Sequence, residues 1–116
     1  MKMFAGLNVG GKTTAICVVD EAGKIVWQGM VDTHPDAIAA RLKGFQEKLV
    51  RVGVESGAFT PHLHRSLAAL GLPMVCMDAR RAANAIEGRR IKSGKADAWA
   101  LAGMLRTGWF TAVHAI

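Results

Sequence analysis

The amino-acid sequence predicts a single mixed α/β domain, residues 1–116, built on a five-stranded sheet with helices on its faces. Three observations lead there. The first third of the chain holds three apolar or β-branched runs separated by turn chemistry. From Pro35 onward the apolar residues switch to a helical period, and helical and strand stretches then alternate. No repeat, low-complexity segment or internal linker interrupts the chain.

Residues 3–9 (Met-Phe-Ala-Gly-Leu-Asn-Val) are mostly apolar and suit a central strand. Residues 13–19 (Thr-Thr-Ala-Ile-Cys-Val-Val) are rich in β-branched types and read as a second strand. Asp20-Glu21-Ala22-Gly23 reads as a turn in which Gly23 takes positive φ, and Lys24 to Val31 as a third strand, completing an antiparallel meander. Pro35 suits a first helical turn, and Ile38, Leu42, Phe45 and Leu49 recur at helical spacing. Val50, Val52 and Val54 alternate as a short strand that delivers Glu55 at its end. Thr60-Pro61 opens a helix with Leu63, Leu67 and Leu70 on one face and Gly71 as its stop. Pro73 to Met77 is the fifth strand. Asp78 suits the cap of a short basic helix running to about Gly88, and Ser93 that of a last helix carrying Leu101, Met104 and Leu105. Three meandering strands followed by alternating helices and strands is the order of the ribonuclease H fold.

A chain of 116 residues fits one domain and buries roughly two-thirds of its unfolded surface. A hydrophobic fraction of 51% with 21% charged residues argues against wholesale disorder. No apolar run approaches the ~18 residues of a membrane span, so no membrane partner is expected. Cys17 and Cys76 lie far apart inside apolar runs, which suggests buried thiols in a reducing cytoplasm rather than a disulfide. His34, His62, His64 and His114 show no metal-ligand spacing and read as surface residues. Trp99, Trp109 and Phe110 can stack on bases, but packing of the terminal helix is the favoured expectation.

The net charge of +6 is unevenly spread. Arg80, Arg81, Arg89, Arg90, Lys92 and Lys95 face a single acid, Glu87, in their segment, and five of the six excess charges sit there. The alternatives are a solvated helical face and a phosphate-binding patch, and the concentration tips the balance toward nucleic acid.

Gly6 to Thr13 (Gly-Leu-Asn-Val-Gly-Gly-Lys-Thr) fits the Walker A phosphate-loop pattern letter for letter. That motif works because its glycines open a helix whose N-terminal amides hold phosphate. Strand chemistry follows Thr13 here, so a nucleotide-binding fragment is the weakest reading. The residues also resemble the first phosphate turn of actin-like sugar kinases, a glycine-rich hairpin. A plain tight turn between paired strands is the favoured expectation.

The blocks Gly6-Leu7-Asn8-Val9, Thr14 to Asp20, Val52-Gly53-Val54-Glu55-Ser56-Gly57, Leu72 to Arg80 and Lys92-Ser93-Gly94-Lys95-Ala96-Asp97-Ala98 resemble, in order and spacing, those of the insertion-sequence one-ten transposases. The similarity runs on through Arg106-Thr107-Gly108-Trp109-Phe110. The resemblance implies a RuvC-like N-terminal domain in which an Asp-Glu-Asp-Asp set binds Mg²⁺ (or Mn²⁺). It also implies DNA as partner, a structured guide RNA, a possible homo-oligomer, and a C-terminal serine-bearing domain that these 116 residues lack. Hard Mg²⁺ prefers carboxylate oxygen, and two such ions stabilise the attacking and leaving oxygens of a phosphodiester. Carried onto this chain, the four positions are 8, 55, 94 and 97. Glu55 and Asp97 match; Asn8 keeps only a neutral oxygen, and Gly94 offers no ligand. Catalysis is therefore expected to be impaired. The alternative is a non-catalytic nucleic-acid-binding module on the same fold. Gly94, Asp97, Leu101 and Met104 share one helical face, which places the Asp97 carboxylate on an apolar side.

Overall fold

The computed structural model describes residues 1–55, 60–77, 94–110 and 112. β1 (Met3–Val9), β2 (Thr13–Asp20) and β3 (Ile25–Asp32) form the antiparallel meander. β4 (Leu49–Glu55) pairs in parallel with the other side of β1, and β5 (Met74–Met77) pairs in parallel with β4. The order across the sheet is β3-β2-β1-β4-β5. Helix α1 (Pro35–Leu42), continued by a 3-10 turn Lys43–Phe45, joins β3 to β4. Helix α2 (Thr60–Ala69) lies between β4 and β5, and α3 (Gly94–Thr107) follows β5. This is the ribonuclease-H-like mixed sheet that the residue pattern predicts.

The two faces of the sheet are packed by alternate residues of the same strands. On one side Leu7, Ile16, Val18, Val52 and Val54 meet Ile38 and Leu42 of α1 and Leu63 and Leu67 of α2. On the other, Phe4, Ala15, Cys17 and Val19 meet Ala98, Leu101, Ala102 and Leu105 of α3. Both cysteines are buried and free, and burial pushes the Cys17 thiol up to about 11, as befits an inert core residue.

Local chemistry explains the turns. The Asp20 carboxylate accepts the amides of Ala22 and Lys24 at 2.9 and 3.0 Å, and Gly23 takes φ +85°. The β1–β2 connection is a tight hairpin closed by Gly10 N to Thr13 O at 3.0 Å. Thr33 braces it, its hydroxyl donating to Gly10 O at 2.8 Å and its amide to Lys12 O at 2.9 Å. Because Thr13–Asp20 is a strand, no helix N-terminus follows these glycines, and the Walker A reading fails on that ground.

Three expectations need correction. The helical period does not reach Leu49: α1 ends at Leu42, and Leu49 opens β4 opposite Met3. A bulge leaves Val50 between the pairs Met3↔Leu49 and Phe4↔Arg51, so Val50 is exposed while Leu49 and Val52 share the core face. Leu70 is also exposed, because α2 ends at Ala69 in a Schellman turn. There Gly71, at φ +91°, donates to Ala68 O and Leu72 to Leu67 O, which swings Leu72 into the core instead. Finally, of the three terminal aromatics Phe110 packs against the α3 core as expected, whereas Trp99 and Trp109 lie outside it, 40% and 59% exposed.

Candidate metal centre and nucleic-acid interface

Glycines set how α3 lies on the sheet. A Cβ at Gly6 would collide with the Ala98 carbonyl oxygen and stand 2.6 Å from the Ala102 amide nitrogen, so helix and strand meet backbone to backbone. On β4, Gly53 pairs with Gly6, and a Cβ there would lie 2.6 Å from Leu105 Cδ1. Two residues back, Arg51 Nη1 donates to Leu105 O at 2.9 Å, capping the C-terminal end of α3, with its guanidinium 5.3 Å from the Phe110 ring centre.

The same alternation carries the candidate site. Asn8 stands two residues beyond Gly6, and Glu55 two beyond Gly53, so both fall on the α3 side at the C-terminal ends of neighbouring parallel strands. The first turn of α3 supplies Asp97, one turn before Leu101. Glu55 and Asp97 come close enough to feel each other's charge. Burial, and then the Asp97 carboxylate, raises the Glu55 carboxyl above its ordinary range. Asp97 Oδ1 is buried without a hydrogen-bond partner.

A buried, unpaired carboxylate oxygen beside a second carboxylate is what a hard cation relieves. Glu55 and Asp97 thus fit a divalent metal, and the Asn8 amide oxygen lies on the right face to join them. The set is short of charge: among the described residues no three His, Cys, Asp or Glu side chains gather as a metal site. Gly94 opens α3 one turn before Asp97 and adds no ligand. Of the basic candidates, Arg80, Arg81, Arg89, Arg90 and Lys92 lie outside the described residues, as do the Asp78 helix and Ser93. Lys95 belongs to α3.

Sequence reasoning did not find Arg51 as the cap of α3, nor His34, whose Nδ1 accepts the Asp36 amide at the start of α1. It also passed over Gly6 and Gly53, although a glycine inside an apolar strand is itself a signal of close backbone approach.

The sheet order and helix placement are those of a ribonuclease-H-like, RuvC-like fold. RuvC from Thermus thermophilus superposes with a TM-score of 0.65 at 17% identity, over 96% of this chain and 99% of that one. The same organism's RuvC in complex with a Holliday junction substrate gives 0.56 at 16%, over 97% and 100%. A ROK family glucokinase from Streptomyces griseus, in complex with glucose and AMPPNP, gives 0.52 at 27%, over 75% of this chain and 36% of that one. No protein-family profile matches the chain, and neither does any curated protein. Among the described residues no helix is long and apolar enough to cross a membrane.

Proposed function

We propose that residues 1–116 are a nucleic-acid-binding domain, the N-terminal domain of an insertion-sequence one-ten transposase, with a weakened divalent-metal site. What carries the reading is the meeting of Glu55 and Asp97 on one sheet face, from motif blocks that resemble those of the transposases in order and spacing. DNA is the partner, with a structured guide RNA and a second copy of the chain as further partners. Arg80, Arg81, Arg89, Arg90, Lys92 and Lys95 contact phosphate. Glu55, Asp97 and the Asn8 amide hold Mg²⁺ or Mn²⁺, which when bound stabilises charge on phosphate oxygens. With Asn8 and Gly94 at two of four ligand positions, the domain holds nucleic acid without cutting it.

Paired thermal melts test this. The natural protein should shift little with millimolar Mn²⁺. The double variant Asn8→Asp with Gly94→Asp regains four carboxylates and should be no more stable without metal, yet clearly stabilised by Mn²⁺ through linkage. Equal shifts in both proteins would mean that the four positions do not converge, and the transposase-site reading would fail. The kinase likeness favours a second reading, phosphate binding at the Gly10–Lys12 hairpin. ATP binding that Lys12→Ala abolishes would establish it in place of the first.

A further inference from the structure

We propose that a groove between the outer side of α3 and the β2–β3 turn is a stacking site for unpaired bases of single-stranded nucleic acid. The proposal rests on the nucleic-acid reading of the chain but not on its carboxylate corner. The groove has a volume of about 330 Å³ and is lined chiefly by Val19, Gly23, Trp99, Gly103, Arg106 and Trp109. Trp99 is 40% exposed and Trp109 59%. Two indoles on one concave surface thus each keep a large share of their area accessible, apolar area that a ligand can cover.

The groove is built rather than incidental. Trp99 lies two residues past Asp97 and so takes the outer side of α3 while Asp97 takes the inner. Gly108, at φ +78°, ends the helix and turns the chain back, placing Trp109 beside the groove. The Trp109 amide donates to Thr107 Oγ1 at 3.4 Å, and that hydroxyl donates to Gly103 O at 3.0 Å. Gly103 keeps the floor open, since a Cβ there would meet nothing within 4 Å. The Arg106 guanidinium sits against Gly23, its Nη1 donating to Glu21 O at 3.4 Å.

Among the described residues Arg106 is the one charged residue in the lining, and no acid lines it. The acids of the adjoining turn are engaged: Asp20 accepts two turn amides and Glu21 Oε1 the Lys2 amide at 2.8 Å. Indole faces beside a guanidinium suit a flat aromatic ring joined to a negative group. An unpaired nucleotide is both, whereas duplex bases hide their faces. A second copy of the chain would bring a like charge of +6, so charge favours the polyanion.

The test compares a short deoxyadenosine oligomer with an abasic oligomer of equal length, which has the same charge and no bases. The bases should quench tryptophan fluorescence, and Trp99→Leu with Trp109→Leu should lose roughly tenfold in affinity per ring. Binding of the abasic oligomer should be unchanged, and Trp27 remains as a reporter. Phenylalanine at both positions should restore much of the binding. Gly103→Leu fills the groove and favours helix, so it should abolish base-dependent binding in a protein at least as thermally stable. Equal effects on both oligomers, or none, would overturn the stacking site while leaving salt-sensitive phosphate binding intact. Failure to bind either oligomer would overturn both readings. Self-association that the leucine variants abolish would make the groove an interface between copies and likewise overturn the proposal.

Discussion

The two faces of the sheet do different work with the same strands. Against α1 and α2, β1, β2 and β4 present bulky side chains, Leu7, Ile16, Val18, Val52 and Val54, which interlock with Ile38, Leu42, Leu63 and Leu67. Against α3 the strands mix sizes: Phe4, Cys17 and Val19 meet Leu101 and Leu105, while Gly6, Ala15 and Gly53 make room for Ala98, Ala102 and the Leu105 side chain. Large interdigitating groups bury more apolar area and dominate stability. At Gly6 no side chain lies between helix and strand, so there the helix position is set by backbone contact. Glu55 and Asp97 belong to the second face. Their mutual placement inherits that definition, and the core on the other side supplies the free energy that holds two like charges together.

The largest effect expected from this division is on the bulky face. Ile16→Ala should lower unfolding free energy by about 2–5 kcal/mol in urea titrations. It should leave the pH dependence assigned to Glu55 unchanged; a change would mean the faces are not independent. Next comes Gly6→Ala, which forces α3 outward and should destabilise by about 1–3 kcal/mol. Unlike Ile16→Ala, it should also return the Glu55 carboxyl toward its ordinary range by admitting water and moving Asp97 away, which carboxyl NMR titration would show. Smallest is Glu55→Gln. The folded state raises this carboxyl above its unfolded value, so folding gains from its proton at low pH and loses that gain as pH rises through the raised pKa. Without metal, Glu55→Gln should therefore melt higher than the natural protein at neutral pH. The advantage should fade as pH falls toward the ordinary value of 4.5. An advantage that grows on acidification would mean that Glu55 is stabilised in its charged form.

Much of this was legible in the sequence. The β-branched run 13–19 marks a strand with little ambiguity, and it disposes of the phosphate loop despite a full match of letters. Gly23 and Gly71 mark positive φ where turns require it. Glu55 at a strand end and Asp97 in a first helical turn were readable as positions, but their meeting was not. It depends on Gly6 and Gly53 lying in register on neighbouring strands, a pairing between segments far apart in the chain. Leu49 and Leu70 misled for a local reason. Leu49 continues a helical period past the 3-10 turn in which α1 runs out, and Leu70 continues one past a glycine turn. Trp99 and Trp109 misled because large aromatic residues are usually buried, and exposure is a property of the fold rather than of the residue.

The collision built into Gly6 separates heredity of shape from heredity of chemistry. No side chain can be added at position 6 without moving a helix, so drift at that position is closed. Two residues along the same strand, position 8 touches the question of charge alone, and Asn fits the strand that Asp would occupy. The scaffold can thus exchange charge at position 8 while position 6 keeps its silhouette fixed.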